Sequence, residues 1–122
     1  MGDPRQALGQ RGEALAARFL EGKGMGIVAR NVRTRYGELD LVARDRDTLV
    51  FVEVRARTHV AHGDPLETVT RGKQAKLIRM ARWYLAANRV SPDVFCRFDV
   101  IGIVCLPGQE PVLTHVENAF GS

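Results

Sequence analysis

Apolar residues recur along the chain with two periods, and the places where the period changes mark out the elements. From Pro4 to Lys23, the residues Leu8, Leu15, Ala16, Phe19 and Leu20 follow a helical repeat that Gly22 and Gly24 close. Three segments, Met25 to Val32, Tyr36 to Ala43 and Leu49 to Arg57, read as strands. Asp64-Pro65-Leu66-Glu67 is a helix start, with Asp as N-cap, Pro at the first helical position and Glu at the third. Gly72 is expected to interrupt that turn before a main helix from Lys73 to about Asn88, whose apolar face carries Leu77, Ile78, Ala81, Tyr84 and Leu85. Val94 to Leu106 is a strand-type run ended by Pro107-Gly108, and Val112 to Val116 is expected to pair back on it. The tail from Glu117 to Ser122 is expected to be loosely held. Helix, three strands, helix, two strands predicts a single α/β domain over residues 1–122, a mixed twisted sheet with a helix on each side.

The second and third strands flank the polar break Arg44-Asp45-Arg46-Asp47-Thr48 and so form a hairpin. Alternation puts Glu38, Asp40 and Val42 on one face of the first strand, and Phe51, Glu53 and Arg55 on one face of the second. With the turn centred near Arg46, Asp40 falls opposite residue 52 or 53, and only the register with 53 makes Asp40 and Glu53 neighbours. That register is the expectation. Two carboxylates side by side amid Leu and Val repel unless something compensates them. A divalent cation would do so, since Mg²⁺ is held by one or two carboxylates plus water and phosphate oxygens. Ordinary ion pairs with Arg35, Arg55 or Arg57 would also do so.

Gly37-Glu38-Leu39-Asp40, a short hairpin, and then Phe51-Val52-Glu53-Val54-Arg55 resemble the PD-(D/E)XK nuclease signature, with Asp40, Glu53 and Arg55 at the D, E and K positions. Gly12-Glu13 with Ala16, Arg30-Asn31-Val32-Arg33, Lys73-Gln74 and Arg97-Phe98-Asp99-Val100 extend the likeness over nearly the whole chain, which resembles the YraN family of uncharacterised bacterial proteins. The resemblance implies a restriction-endonuclease-like fold and a metal-dependent nuclease of branched or structured nucleic acid, similar to Holliday-junction-resolving enzymes. It further implies Mg²⁺ or Mn²⁺ on Asp40 and Glu53, with the Val54 carbonyl as a further ligand. Glu13 would join from the first helix, and Lys73 and Gln74 from the second; a helix-start polar pair satisfying nearby backbone is the alternative for Lys73 and Gln74. Glu13 lies at the margin of its apolar stripe and can lean toward the sheet; pairing with Arg11 or Arg18 is the alternative. Arg55 departs from the signature lysine: it keeps its proton near neutral pH, so it can orient water or stabilise phosphate charge but cannot act as a base. A nucleic-acid-binding protein without catalysis, and a structural or assembly protein without metal, are the alternative functions.

Charge sharpens the choice of partner. The net charge of +4 and pI near 9.6 suit a polyanion, and Arg30, Arg33, Arg35, Arg44, Arg46, Arg55 and Arg57 all fall in the first three strands. Arg33, Arg35 and Arg57 are the candidates for phosphate contact, and DNA is the expected partner. His59 and His62 are expected to be solvated loop histidines, Asp99 a structural residue ion-paired with Arg97 or a helix residue, and Cys96 and Cys105 buried reduced thiols. No apolar run is long enough to span a bilayer or to form a signal peptide, so the expected location is the cytoplasm, without membrane contact. Trp83 lies away from Leu77 and Ala81, which predicts a second contact surface, under the C-terminal strands or in a homodimer.

Overall fold

The computed structural model describes residues 3–59 and 64–121; His62 lies outside them. Helix α1 (Pro4–Gly22) is capped by Asp3, whose side chain accepts from the Arg5 amide. Strands β1 (Gly26–Thr34), β2 (Gly37–Asp45) and β3 (Thr48–Arg57) follow as a meander. A 3₁₀ turn (Pro65–Thr68) leads to α2 (Arg71–Ala87), then β4 (Phe95–Val104) and β5 (Val112–Phe120). The five strands form one sheet in sequence order, antiparallel except where β3 pairs with β4 in parallel after the α2 crossover. This is the expected mixed α/β sheet, with the restriction-endonuclease-like element order.

Each helix covers one face. Ala16, Ala17 and Leu20 of α1 pack over Leu41, Val52, Ile101 and Ile103, whereas Leu77, Met80, Ala81 and Tyr84 of α2 pack over Leu39, Phe51, Phe98 and Val100. Close approach of α1 to β3 depends on Gly12, where an added Cβ would stand 2.8 Å from the Cβ of Ala56. That contact sets the neighbouring Glu13 against the sheet.

Several local expectations are corrected. The second helix begins at Arg71 rather than Lys73, because Thr70 caps it by accepting from the Lys73 amide and Gly72 is absorbed into the first turn. The C-terminal tail is ordered strand to Phe120: its ring stacks on Phe98 at 4.9 Å, and the Asn118 amide donates to buried Asp99. Cys105 is buried but Cys96 is exposed, and both are free thiols. Trp83 is half-buried and joins the apolar shell around the α2-side core, to which Val116, Ala119 and Phe120 of β5 also belong.

The alternation assumed for β2 slips by one residue. Leu39 and Val42 both line the α2-side core while Leu41 and Ala43 line the α1 side, so Asp40 marks the slip and does not share a simple face with Val42. Its neighbour on β1, between the pairs Arg30–Leu41 and Val32–Leu39, is Asn31 at φ +50°, a left-handed residue that breaks the pleat there.

Candidate functional site

The sheet forks at the site. Strands β2 and β3 pair from Asp45–Thr48 to Leu41–Val52 and no further. Beyond that point β2 stays with β1 as far as Gly37, and β3 stays with β4 as far as Arg57. The turn is the two-residue loop Arg46-Asp47, with Arg46 at φ +56°, and it fixes the register that sets Asp40 against Glu53 one step past the last pair. The carboxylates therefore occupy the crotch of the fork. The Val54 amide, left without a ladder partner on β2, donates to Asp40 Oδ2 at 2.8 Å. Val54 thus enters the site through its N–H.

Glu53 is buried, its side chain 5% exposed, and its cations come from both sides: Lys73 Nζ of α2 lies 3.5 Å from Oε2 and Arg55 Nη1 lies 3.7 Å from it. Arg55 is held in turn by Thr68, whose hydroxyl accepts from Nε at 3.2 Å and donates to the Pro65 carbonyl. Glu13 arrives from α1 beside Asp40, close enough that each carboxyl shifts the other's ionisation. The Asn31 amide, oriented with its nitrogen toward the acids, donates to Glu13 Oε1 at 2.5 Å and Glu38 Oε1 at 3.0 Å. In the sequence Asn31 stands out only as part of the Arg30-Asn31-Val32-Arg33 motif, with no role of its own. An Asn in the middle of a strand-type run is unfavourable for a ladder and was the available signal.

Crowding the acids in a dry site disfavours their charged forms. Burial pushes Glu53 up to about 7, and the charge of Asp40 adds to it, while Lys73 and Arg55 pull the other way. Burial likewise raises Asp40 despite the Val54 hydrogen bond, and raises Glu13 despite its contact with Asp40. Like charges confined together favour sharing a proton.

Not every candidate converges here. The Gln74 side chain donates to the Val69 carbonyl at 3.1 Å, so it secures the start of α2 and is not brought to the carboxylates. Arg33 and Arg35 are exposed near the β1–β2 turn, with the Arg35 guanidinium 6.0 Å from the Tyr36 ring centre. Arg57 is half-buried at the end of β3, and His59 is exposed just beyond it. Arg44 and Arg46 lie toward the closed end of the hairpin; Arg46 is about 20 Å of strand from Asp40.

A second charged cluster, legible only in part, pins the sheet on its other flank. Asp99 is fully buried and accepts from Arg97 at 3.0 and 3.2 Å, His115 at 2.8 Å and the Asn118 amide at 3.0 Å. Arg97 also reaches Asp45 at 2.8 Å, and Lys23 lies 2.9 Å from the far nitrogen of His115. These hydrogen bonds hold the Asp99 carboxyl below its ordinary value against the opposing effect of burial. The expected pairing with Arg97 is present; His115 completes the network from β5.

Among the described residues, no three His, Cys, Asp or Glu side chains are grouped to enclose a metal ion. What the fork offers is a hard, all-oxygen pair, Asp40 and Glu53, with Glu13 beside it. The donor type and the mutual repulsion of the acids fit a cation that takes one or two carboxylates and completes its shell with water or phosphate oxygens. No helix among the described residues is long and apolar enough to cross a membrane.

This architecture belongs to a defined family: the profile of "Uncharacterised protein family UPF0102" matches residues 12–103, and the chain is a member of that family. Relatives described as UPF0102 proteins align along almost their whole length. The relative from Nocardia farcinica is 49% identical over 95% of this chain and 91% of its own. That from Pelotomaculum thermopropionicum is 46% identical over 98% of this chain and 100% of its own. That from Stutzerimonas stutzeri is 47% identical over 96% and 97%.

Proposed function

We propose that this protein is a metal-dependent nuclease acting on structured or branched nucleic acid, with DNA as the expected substrate. The observation that carries the reading is the strand fork, where Asp40 and Glu53 meet beside Glu13 and face the cations of Arg55 and Lys73. Acids that repel one another in a buried position are costly unless the site has a use for them, and perturbed carboxyls in such a setting are functional candidates. Asp40 and Glu53 would hold Mg²⁺ or Mn²⁺, which when bound lowers the pKa of water and offsets charge on a phosphate. Arg55, locked by Thr68, presents a fixed positive charge to a phosphate oxygen or positions the attacking water. Lys73 balances Glu53 and is placed to contact the same phosphate. Gln74 would contribute by securing the helix that carries Lys73.

The test is cleavage of junction, flap and single-stranded substrates in Mg²⁺ or Mn²⁺. Asp40→Asn and Glu53→Gln should each abolish cleavage with the fold intact, and Arg55→Lys should retain or raise it, because lysine can give up a proton. If the parent cuts none of these substrates, or Asp40→Asn cuts as well as the parent, the enzyme reading fails. A nucleic-acid-binding protein on the same fold then takes its place.

A further inference from the structure

Beside Glu13, the N-terminal half of α1 and the last residues of β3 stand apart and leave a groove of about 430 Å³. From Glu13 back to Arg5 it follows about 12 Å of helix axis. A second hollow of about 480 Å³ shares Leu8 and Thr58 with it and continues toward the turn after β4. The two hollows adjoin at these residues. Gly9 lines the groove, and an added Cβ there would meet no atom within 4 Å, in contrast to Gly12 one turn on, which is pressed against Ala56.

We infer that this groove seats an unpaired nucleic-acid strand leading away from the carboxylate site, a substrate preference that rests on the nuclease reading above. The lining combines two chemistries. Arg5 and Arg57 supply positive charge for phosphates, and Leu8, Val54 and Ala56 form an apolar wall. A duplex keeps its base faces inside the stack and offers such a wall little beyond sugars and phosphates. A single strand brings phosphate and free base faces together, and the apolar faces of unstacked bases can be covered by Leu8, Val54 and Ala56. The volume suits a nucleotide-sized group and is far too small for the body of a double helix.

The experiment is fluorescence anisotropy in chelator, so that it does not depend on metal, with labelled single-stranded DNA, single-stranded RNA of the same sequence and the blunt DNA duplex. The parent should bind one or both single strands at least about tenfold more tightly than the duplex. Gly9→Leu fills the groove and should lose about tenfold or more of that affinity, whereas Ala14→Leu on the exposed face of α1 should bind as the parent does. Arg57→Ala supplies an independent check should Gly9→Leu fail to fold, and should weaken single-strand binding and reduce its salt dependence. Equal or tighter binding of duplex, no binding of either strand, or full affinity in a folded Gly9→Leu protein and in Arg57→Ala would overturn the assignment. Mn²⁺ titration of the parent reports on the carboxylates separately: single-strand preference without metal binding sinks the nuclease reading and leaves the groove standing, and the reverse result does the opposite.

Discussion

The Val54 amide donates to Asp40 Oδ2 at 2.8 Å just past the last β2–β3 pair, Leu41–Val52, so a carboxylate replaces the missing ladder acceptor. Asp40 therefore has a structural duty that can be separated from metal binding. Asp40→Asn keeps an oxygen for Val54 and removes a charge repelling Glu53, so it should be at least as stable as the parent near neutral pH. Asp40→Ala leaves the Val54 N–H unpaired in a half-buried place and should cost about 1–3 kcal/mol. Both should lose Mn²⁺ binding. Urea unfolding and calorimetry on the two variants check this; an alanine variant as stable as the asparagine one would show that Val54 finds another partner.

Glu53 carries a pH signature. Its folded-state pKa, raised by burial and then by Asp40 to about 7, lies above the ordinary value of 4.5. Between those values the folded state holds a proton that the unfolded chain releases, so the stability of the metal-free protein should fall as pH rises through that window. The effect is on the order of 3 kcal/mol for the acidic pair acting as a unit. Glu53→Gln should flatten the profile, and divalent metal should restore stability at the upper end by favouring the ionised acids. Unfolding in chelator at about pH 5 and about pH 7.5 measures it; stability that increases over this range would contradict the assignment.

The local parts of this site were legible because local rules govern them. A tight turn at Arg46 fixes register, and register alone brings Asp40 to Glu53; Asp64 and Pro65 announce their cap in the same way. The slip at Asp40 was hidden because its cause, the positive φ of Asn31, lies on the neighbouring strand. Strand β5 was read too short because Glu117 to Phe120 shows no strict alternation, and what orders it is non-local: Phe98 under Phe120 and Asp99 under Asn118. A helical wheel puts Gln74 on the correct face but cannot say that Val69, rather than Glu53, is its partner.

Asp99 should be the most stability-sensitive charge in the fold. It is completely buried and accepts from Arg97, His115 and Asn118, so replacement by Asn removes one of the two carboxylates that pair with the half-buried Arg97, leaving Asp45, and leaves one donor unmatched. A buried donor left unmatched in such a network costs about 1–3 kcal/mol. Denaturant unfolding of Asp99→Asn should show that loss, and amide exchange should quicken first along β5, beginning at Asn118. A loss well under 1 kcal/mol would mean that water enters and satisfies these groups.

Placement of the arginines predicts that salt dependence divides between two surfaces. Each phosphate neutralised contributes about 0.9 to the logarithmic salt slope for duplex and about 0.7 for a single strand. Arg33 and Arg35 are exposed near the β1–β2 turn, on the open side of the fork, where a duplex arm can reach them, whereas Arg57 lines the groove beside Glu13. Replacing Arg33 and Arg35 with Ala should lower the duplex slope by up to about 1.8, two contacts' worth, and leave most of the single-strand slope in place. Arg57→Ala should do the converse, lowering the single-strand slope by about 0.7. Arg44→Ala, toward the closed end of the hairpin, should change neither. The three proteins titrated with both ligands across a range of salt decide the matter: slopes unchanged in the Arg33/Arg35 and Arg57 variants, together with a reduced slope in Arg44→Ala, would move the nucleic-acid surface from the open fork to the hairpin turn and detach it from the carboxylates.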